Sequence, residues 1–143
     1  MKSNRGFSLL ELLIVVAIIL IIATIAVPAL LRSRQSANET AAVSNLKLLN
    51  TAEVTYTASG TTGFGTIADL VTAGLLDTRF STAISGYVFT IGVSSGGQDY
   101  TATAIARAAN DGRYDYYTRP DYVIRYSTDP LRAPTGLTGE PVR

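Results

Sequence analysis

The chain begins with a short polar segment, Met1 to Gly6, and then runs apolar from Phe7 to Val27. Only Ser8, Glu11 and Thr24 interrupt that run. A stretch this long and this apolar can cross a bilayer as one helix. From Ala29 to Tyr56 there is no glycine or proline. Here Ala42, Leu46, Leu49, Ala52 and Tyr56 recur at helical spacing and share one face. Thr40, Ser44, Lys47 and Thr51 lie opposite, and Asn45 and Glu53 border the apolar stripe. The pattern predicts one helix from Phe7 to about Thr57, lipid-soluble all round in its first half and amphipathic in its second. Pro28 falls inside it, lacks an N–H and crowds the carbonyl of Thr24, so a kink is expected there.

After the helix the period changes. Ser59-Gly60-Thr61-Thr62-Gly63-Phe64-Gly65 reads as a loop. Thr66-Ile67-Ala68-Asp69 predicts a variant capping box on a short helix through Thr72, with Gly74 as its stop. Four strands are then expected: Tyr87–Val93, Tyr100–Ala106, Arg113–Thr118 and Tyr122–Tyr126. Ser94–Asp99, Asn110-Asp111-Gly112 and Arg119-Pro120-Asp121 supply the turns between them. Strands so closely spaced form an antiparallel meander, and the amphipathic half-helix can cover one face of it. The expected fold is α+β: a long N-terminal helix packed on a small antiparallel sheet of about four strands. The tail from 130 to 143, rich in proline and glycine, reads as irregular.

Glu11 is the anomaly. A carboxylate within hydrocarbon costs a few kcal/mol unless it neutralises, reaches water or finds a cation. A cut between Gly6 and Phe7 would create an α-amino group four residues away, and a neighbouring copy would offer the same group. In lipid each charge would relieve the other's desolvation.

These residues carry a resemblance. The basic leader ending at Gly6, followed by Phe7-Ser8-Leu9-Leu10-Glu11-Leu12-Leu13-Ile14-Val15-Val16, resembles the class III signal of type IV prepilins and pseudopilins. The resemblance implies cleavage after Gly6 by a prepilin peptidase and N-methylation of Phe7. It places the family's assembly glutamate at Glu11 and its helix-kinking proline at Pro28. It implies a pilin-like fold, and as partners other copies of the chain, minor pilins, an inner-membrane platform and an extension ATPase. The expected segments are a leader at 1–6, a transmembrane and polymerisation helix at 7–28, an amphipathic half at 29–58, a head at 59–129 and the tail. The precursor would sit in the bacterial inner membrane with its N-terminus cytoplasmic, then join an extracellular pilus. A pseudopilin of a type II secretion system is the alternative within the family.

Composition narrows the remainder. At 143 residues and 15.2 kDa, the chain suits one compact domain plus a membrane segment. A net charge of +1 gives no reason to expect nucleic-acid binding. Without cysteine or histidine there is no disulfide, although many pilins close a C-terminal loop with one, and no thiolate or imidazole chemistry. No nucleophile-elbow or phosphate-loop motif is present, so no enzyme, catalytic residue or cofactor is expected. Asp99, Asp111, Asp115, Asp121 and Asp129 stand in or near turns. Major pseudopilins hold calcium in this region, but the aspartate spacing matches no ligand loop and turns favour aspartate anyway, so no metal site is assigned. Tyr114, Tyr116, Tyr117, Tyr122 and Tyr126 are expected as strand residues with alternate rings on the helix or on neighbouring subunits. An ordinary signal peptide cut near Ala26, an uncut anchor and a tethered monomeric outer domain are the rivals. None of them gives Glu11 a task.

Overall fold

A computed structural model describes residues 7–127 and 139–142. Gly6 and the leader, Asp129 and most of the tail lie outside the described residues. The elements in chain order are α1 (Leu9–Ala58), α2 (Ile67–Thr72), a 3-10 turn (Thr78–Ser81), and strands β1 (Tyr87–Val93), β2 (Tyr100–Ala106), β3 (Tyr116–Thr118), β4 (Arg125–Tyr126) and β5 (Glu140–Pro141). The chain forms two compact units, Met1–Arg34 and Gln35–Arg143.

In the first unit α1 is apolar on every side and covered on none. Phe7, Leu9, Leu10, Leu12, Leu13 and the isoleucines and valines that follow are all exposed. The helix is long and apolar enough to cross a membrane. It stays helical through Pro28.

The second unit has its own core. Ala42, Leu46, Leu49 and Ala52 are buried as the spacing predicts, and Tyr56 packs at the edge of the cluster. They share it with Phe89 of β1, with Tyr100, Ala102 and Ala104 of β2, and with Tyr116 of β3. Small side chains at 102 and 104 leave room for the two helix leucines in that cluster. The sheet is an antiparallel meander in the order β1-β2-β3-β4-β5. The α+β reading therefore holds, with five strands rather than about four.

Several elements match closely. β1 and β2 have the expected bounds, with Tyr87 opposite Ala106 and Val93 opposite Tyr100. Thr66 caps α2 with Asp69 completing the box, and Gly74 follows the helix at φ +72°. Others differ for identifiable reasons. β3 starts at Tyr116 rather than Arg113, because Glu39 of α1 takes Arg113 and the Asp115 carboxylate accepts the Ala106 N–H that a strand rung would have used. β4 keeps only Arg125–Tyr126. Asp121 accepts from the Val123 N–H and from Arg125, and Tyr122 sits at φ +59°, so the chain turns where a strand was expected. The tail, expected to be irregular, contributes Glu140–Pro141 as β5 on β4. A 3-10 turn at Thr78–Ser81 was not foreseen; Asp77 caps it and Phe80 is buried against Phe89.

Candidate functional site

Of the residues singled out by the sequence, Phe7 and Glu11 stand at the start of α1, Pro28 lies further along it, and Gly6 lies outside the described residues. Phe7 is 80% exposed. Ser8 is the helix N-cap in function: its Oγ accepts the Leu10 N–H at 3.3 Å. Glu11 reaches back, and its Oε2 accepts the Ser8 N–H at 3.1 Å. Ser8 and Glu11 thus satisfy two donors at the helix start, with Glu11 supplying the N3-to-N-cap half of a capping box and the Ser8 hydroxyl capping the Leu10 N–H instead of that of Glu11. The sequence reading gave Glu11 a partner only after cleavage. The spacing of serine three residues before glutamate was the available signal for this second role.

The two roles fit one geometry. In the uncut chain the Glu11 carboxylate is held at the helix N-terminus, where the macrodipole favours negative charge. An α-amino group created at Phe7 would stand one residue before the Ser8 N–H that Glu11 already contacts.

Pro28 removes the N–H that would bond the Thr24 carbonyl. Separately, the Thr24 hydroxyl donates to Ile21 O at 2.7 Å. Such side-chain bonding is how helices in apolar surroundings satisfy polar groups.

The second unit holds two polar linkages that the sequence reading missed. Gln35 Nε2 donates to Ala109 O at 2.8 Å, and Asn38 Nδ2 to Asp111 O at 2.9 Å. Glu39 accepts three hydrogen bonds from Arg113, one from its backbone N–H and two from its guanidinium. These three helix residues fix the β2–β3 loop. Deeper in, Tyr100 donates its hydroxyl proton to Asn50 Oδ1 at 2.8 Å, and Asn50 Nδ2 donates to Thr118 Oγ1 at 3.0 Å. Burial raises the Tyr100 hydroxyl pKa and keeps it a donor. Helical periodicity marks Gln35, Asn38, Glu39 and Asn50 only as polar positions; their partners lie 50 to 74 residues away in sequence.

The aspartates have other occupations. Asp99 pairs with Arg119 at 2.6 Å, Asp121 with Arg125 at 2.6 Å, and Asp115 accepts the Ala106 N–H. Among the described residues no three acidic side chains converge as metal ligands would. The tyrosines do not simply alternate. Tyr116 joins the core and packs on Tyr87 and Tyr126, whereas Tyr117, on the other face of β3, is also fully buried. Tyr114 meets Tyr126 at 5.0 Å between ring centroids, and Tyr122 is 48% exposed.

The prokaryotic N-terminal methylation motif matches residues 1–27. The chain is 47% identical over 53 residues to the type IV major pilin protein PilA of Myxococcus xanthus, covering 37% of this chain and 24% of that one. It is 34% identical over 85 residues to the type IV wide pilus major component PilA4 of Thermus thermophilus, covering 59% of this chain and 65% of that one. The chain thus spans about a quarter and just under two thirds of the lengths of these relatives. No solved structure matches it to significance.

Proposed function

We propose that this chain, which carries the prokaryotic N-terminal methylation motif, is the structural subunit of a type IV pilus. The observation that carries the reading is the start of α1: an exposed helix, apolar all round, whose one acid in this apolar run, Glu11, accepts the Ser8 N–H. Lipid covers such a helix in the precursor. In the filament, the same helices of other copies replace the lipid. Cleavage after Gly6 and methylation of Phe7 leave a cationic N-terminus, because a secondary amine remains protonated at neutral pH. Glu11 of an adjacent copy neutralises it, which makes an insertion penalty into a determinant of register.

The remaining parts follow from that role. The precursor is a single-pass protein of the bacterial inner membrane with its N-terminus cytoplasmic and its head outside. A prepilin peptidase, minor pilins, an inner-membrane platform and an extension ATPase are its partners. Its activity is assembly, not catalysis. Both named relatives are pilus components, which favours a pilus over a type II secretion pseudopilus.

The experiment is Glu11→Ala in the native host. The variant should enter the membrane and be cleaved, yet yield no surface filaments. Filaments in wild-type amounts from that variant would defeat the pairing of Glu11 with the new N-terminus.

A further inference from the structure

β1 is an edge of the sheet, paired on one side only. Its register with β2 continues at both ends: Gly86 O accepts the Arg107 N–H, and the Ser94 N–H donates to Asp99 O. That register directs the backbone groups of Val88, Thr90 and Gly92 towards β2, and those of Tyr87, Phe89, Ile91 and Val93 away from it. Tyr87 is satisfied on that outer side, where it exchanges both backbone bonds with Ile84. The outward N–H and C=O groups of Phe89, Ile91 and Val93 have no partner among the described residues.

A sheet edge normally carries a guard against pairing: a proline, a lysine, a bulge or a covering segment. Tyr87–Val93 contains neither proline nor charge, and it pairs with β2 at every position without a bulge. The unpaired stretch is bounded by Ile84 at one end and by the turn after Val93 at the other. An antiparallel copy of the same stretch fills it completely when the two-fold axis passes through Ile91. Ile91 then faces Ile91, Phe89 faces Val93, and each pair exchanges both of its N–H···O bonds. The alternating partial charges of the edge are complementary in that arrangement. Any other register leaves donors and acceptors unused. Thr90 of one copy faces Gly92 of the other, so no like charges meet.

We propose that β1 is a docking edge for β1 of a second copy of this chain, which joins two heads in one continuous antiparallel sheet centred on Ile91. The contact lies wholly within the second unit and does not depend on the assembly reading above. So short a contact is weak between free chains, and a covalent trap reads it.

The chain has no cysteine, so introduced thiols are the only ones present. Thr90 is exposed, and a Cβ added at Gly92 meets nothing within 4 Å. In the proposed register these two positions form a non-hydrogen-bonded pair with Cα atoms about 4.5 Å apart, within disulfide reach. Thr90→Cys and Gly92→Cys are made in full-length chains carrying different tags. The detergent-solubilised chains are mixed and oxidised with copper phenanthroline. The expected result is a mixed disulfide dimer at least tenfold above the dimer from either variant alone. The single variants report the two registers displaced by two residues. Single-variant dimers as abundant as the mixed one would overturn the register, and folded chains that give no mixed dimer would overturn the contact. Amide exchange of the wild-type chain is the second arm. The N–H groups of Phe89, Ile91 and Val93 should exchange rapidly in dilute samples and at least tenfold more slowly in concentrated ones. Protection that is the same at every concentration, or that needs a different protein to be added, would overturn self-pairing.

Discussion

Glu53 and Gly65 are joined by a hydrogen bond that satisfies only half of a buried carboxyl. Glu53 Oε2 accepts the Gly65 N–H at 3.0 Å, while Oε1 has no partner among the described residues and the residue is fully buried. Burial, opposed by the Gly65 bond and reinforced by nearby Asp69, raises its pKa above the usual 4.5. The folded head therefore holds a proton that the unfolded chain releases at that pH. The stabilisation this gives is complete below about 4.5 and fades as pH rises through the folded value. Glu53→Gln should remove this slope and raise stability at pH 7 by about 1 kcal/mol. Urea unfolding of the detergent-solubilised chain between pH 4 and 8 measures it; an unchanged slope would contradict the assignment.

Asp69 has the opposite sign. The Thr66 hydroxyl and the Thr66 N–H both donate to its carboxylate and hold its pKa below the usual 3.8. Its contribution is present above that value and is lost as pH falls through the folded one. Thr66→Ala should cost about 1 kcal/mol at pH 7 by removing the cap from α2. The same unfolding series checks it, and no change would mean the short helix is held by Leu70 alone.

Gly112 is required for space. It does not have positive φ, but a Cβ there would overlap the hydroxyl end of Tyr87. That ring is fully buried and donates to Tyr114 O at 2.7 Å, so it has nowhere to retreat. Gly112→Ala should cost about 2 kcal/mol through overpacking. Thermal melting gives the answer; a melting temperature equal to that of the wild type would show that Tyr87 can move.

Glu39→Gln tests the clamp on the β2–β3 loop. Arg113 keeps a hydrogen-bond acceptor but loses its charge partner, and the expected cost is about 1 kcal/mol. Hydrogen exchange should quicken at 109–113 and not in β1. Uniform quickening would contradict a local clamp.

The sequence was informative wherever the determinants are local. Glu11 announced itself by its apolar surroundings, the Thr66–Asp69 box by its spacing, and β1 and β2 by alternation ended by glycine turns. It was uninformative where distant residues decide. Arg113 left its expected strand because Glu39 takes it, and Asp115 replaced a strand rung with its side chain. β5 has two residues, one a proline, and exists only because Arg125 and Tyr126 offer an edge. The capping role of Glu11 was readable as Ser8-x-x-Glu11 but was masked by the stronger charge anomaly.

The N-terminus of the mature protein tests the central claim most directly. Intact mass and N-terminal sequencing of the chain from its native membrane and surface filaments should give a protein that begins at N-methylated Phe7. A surface chain beginning at Met1, or cut near Ala26, would contradict prepilin processing and the filament assembly built on it.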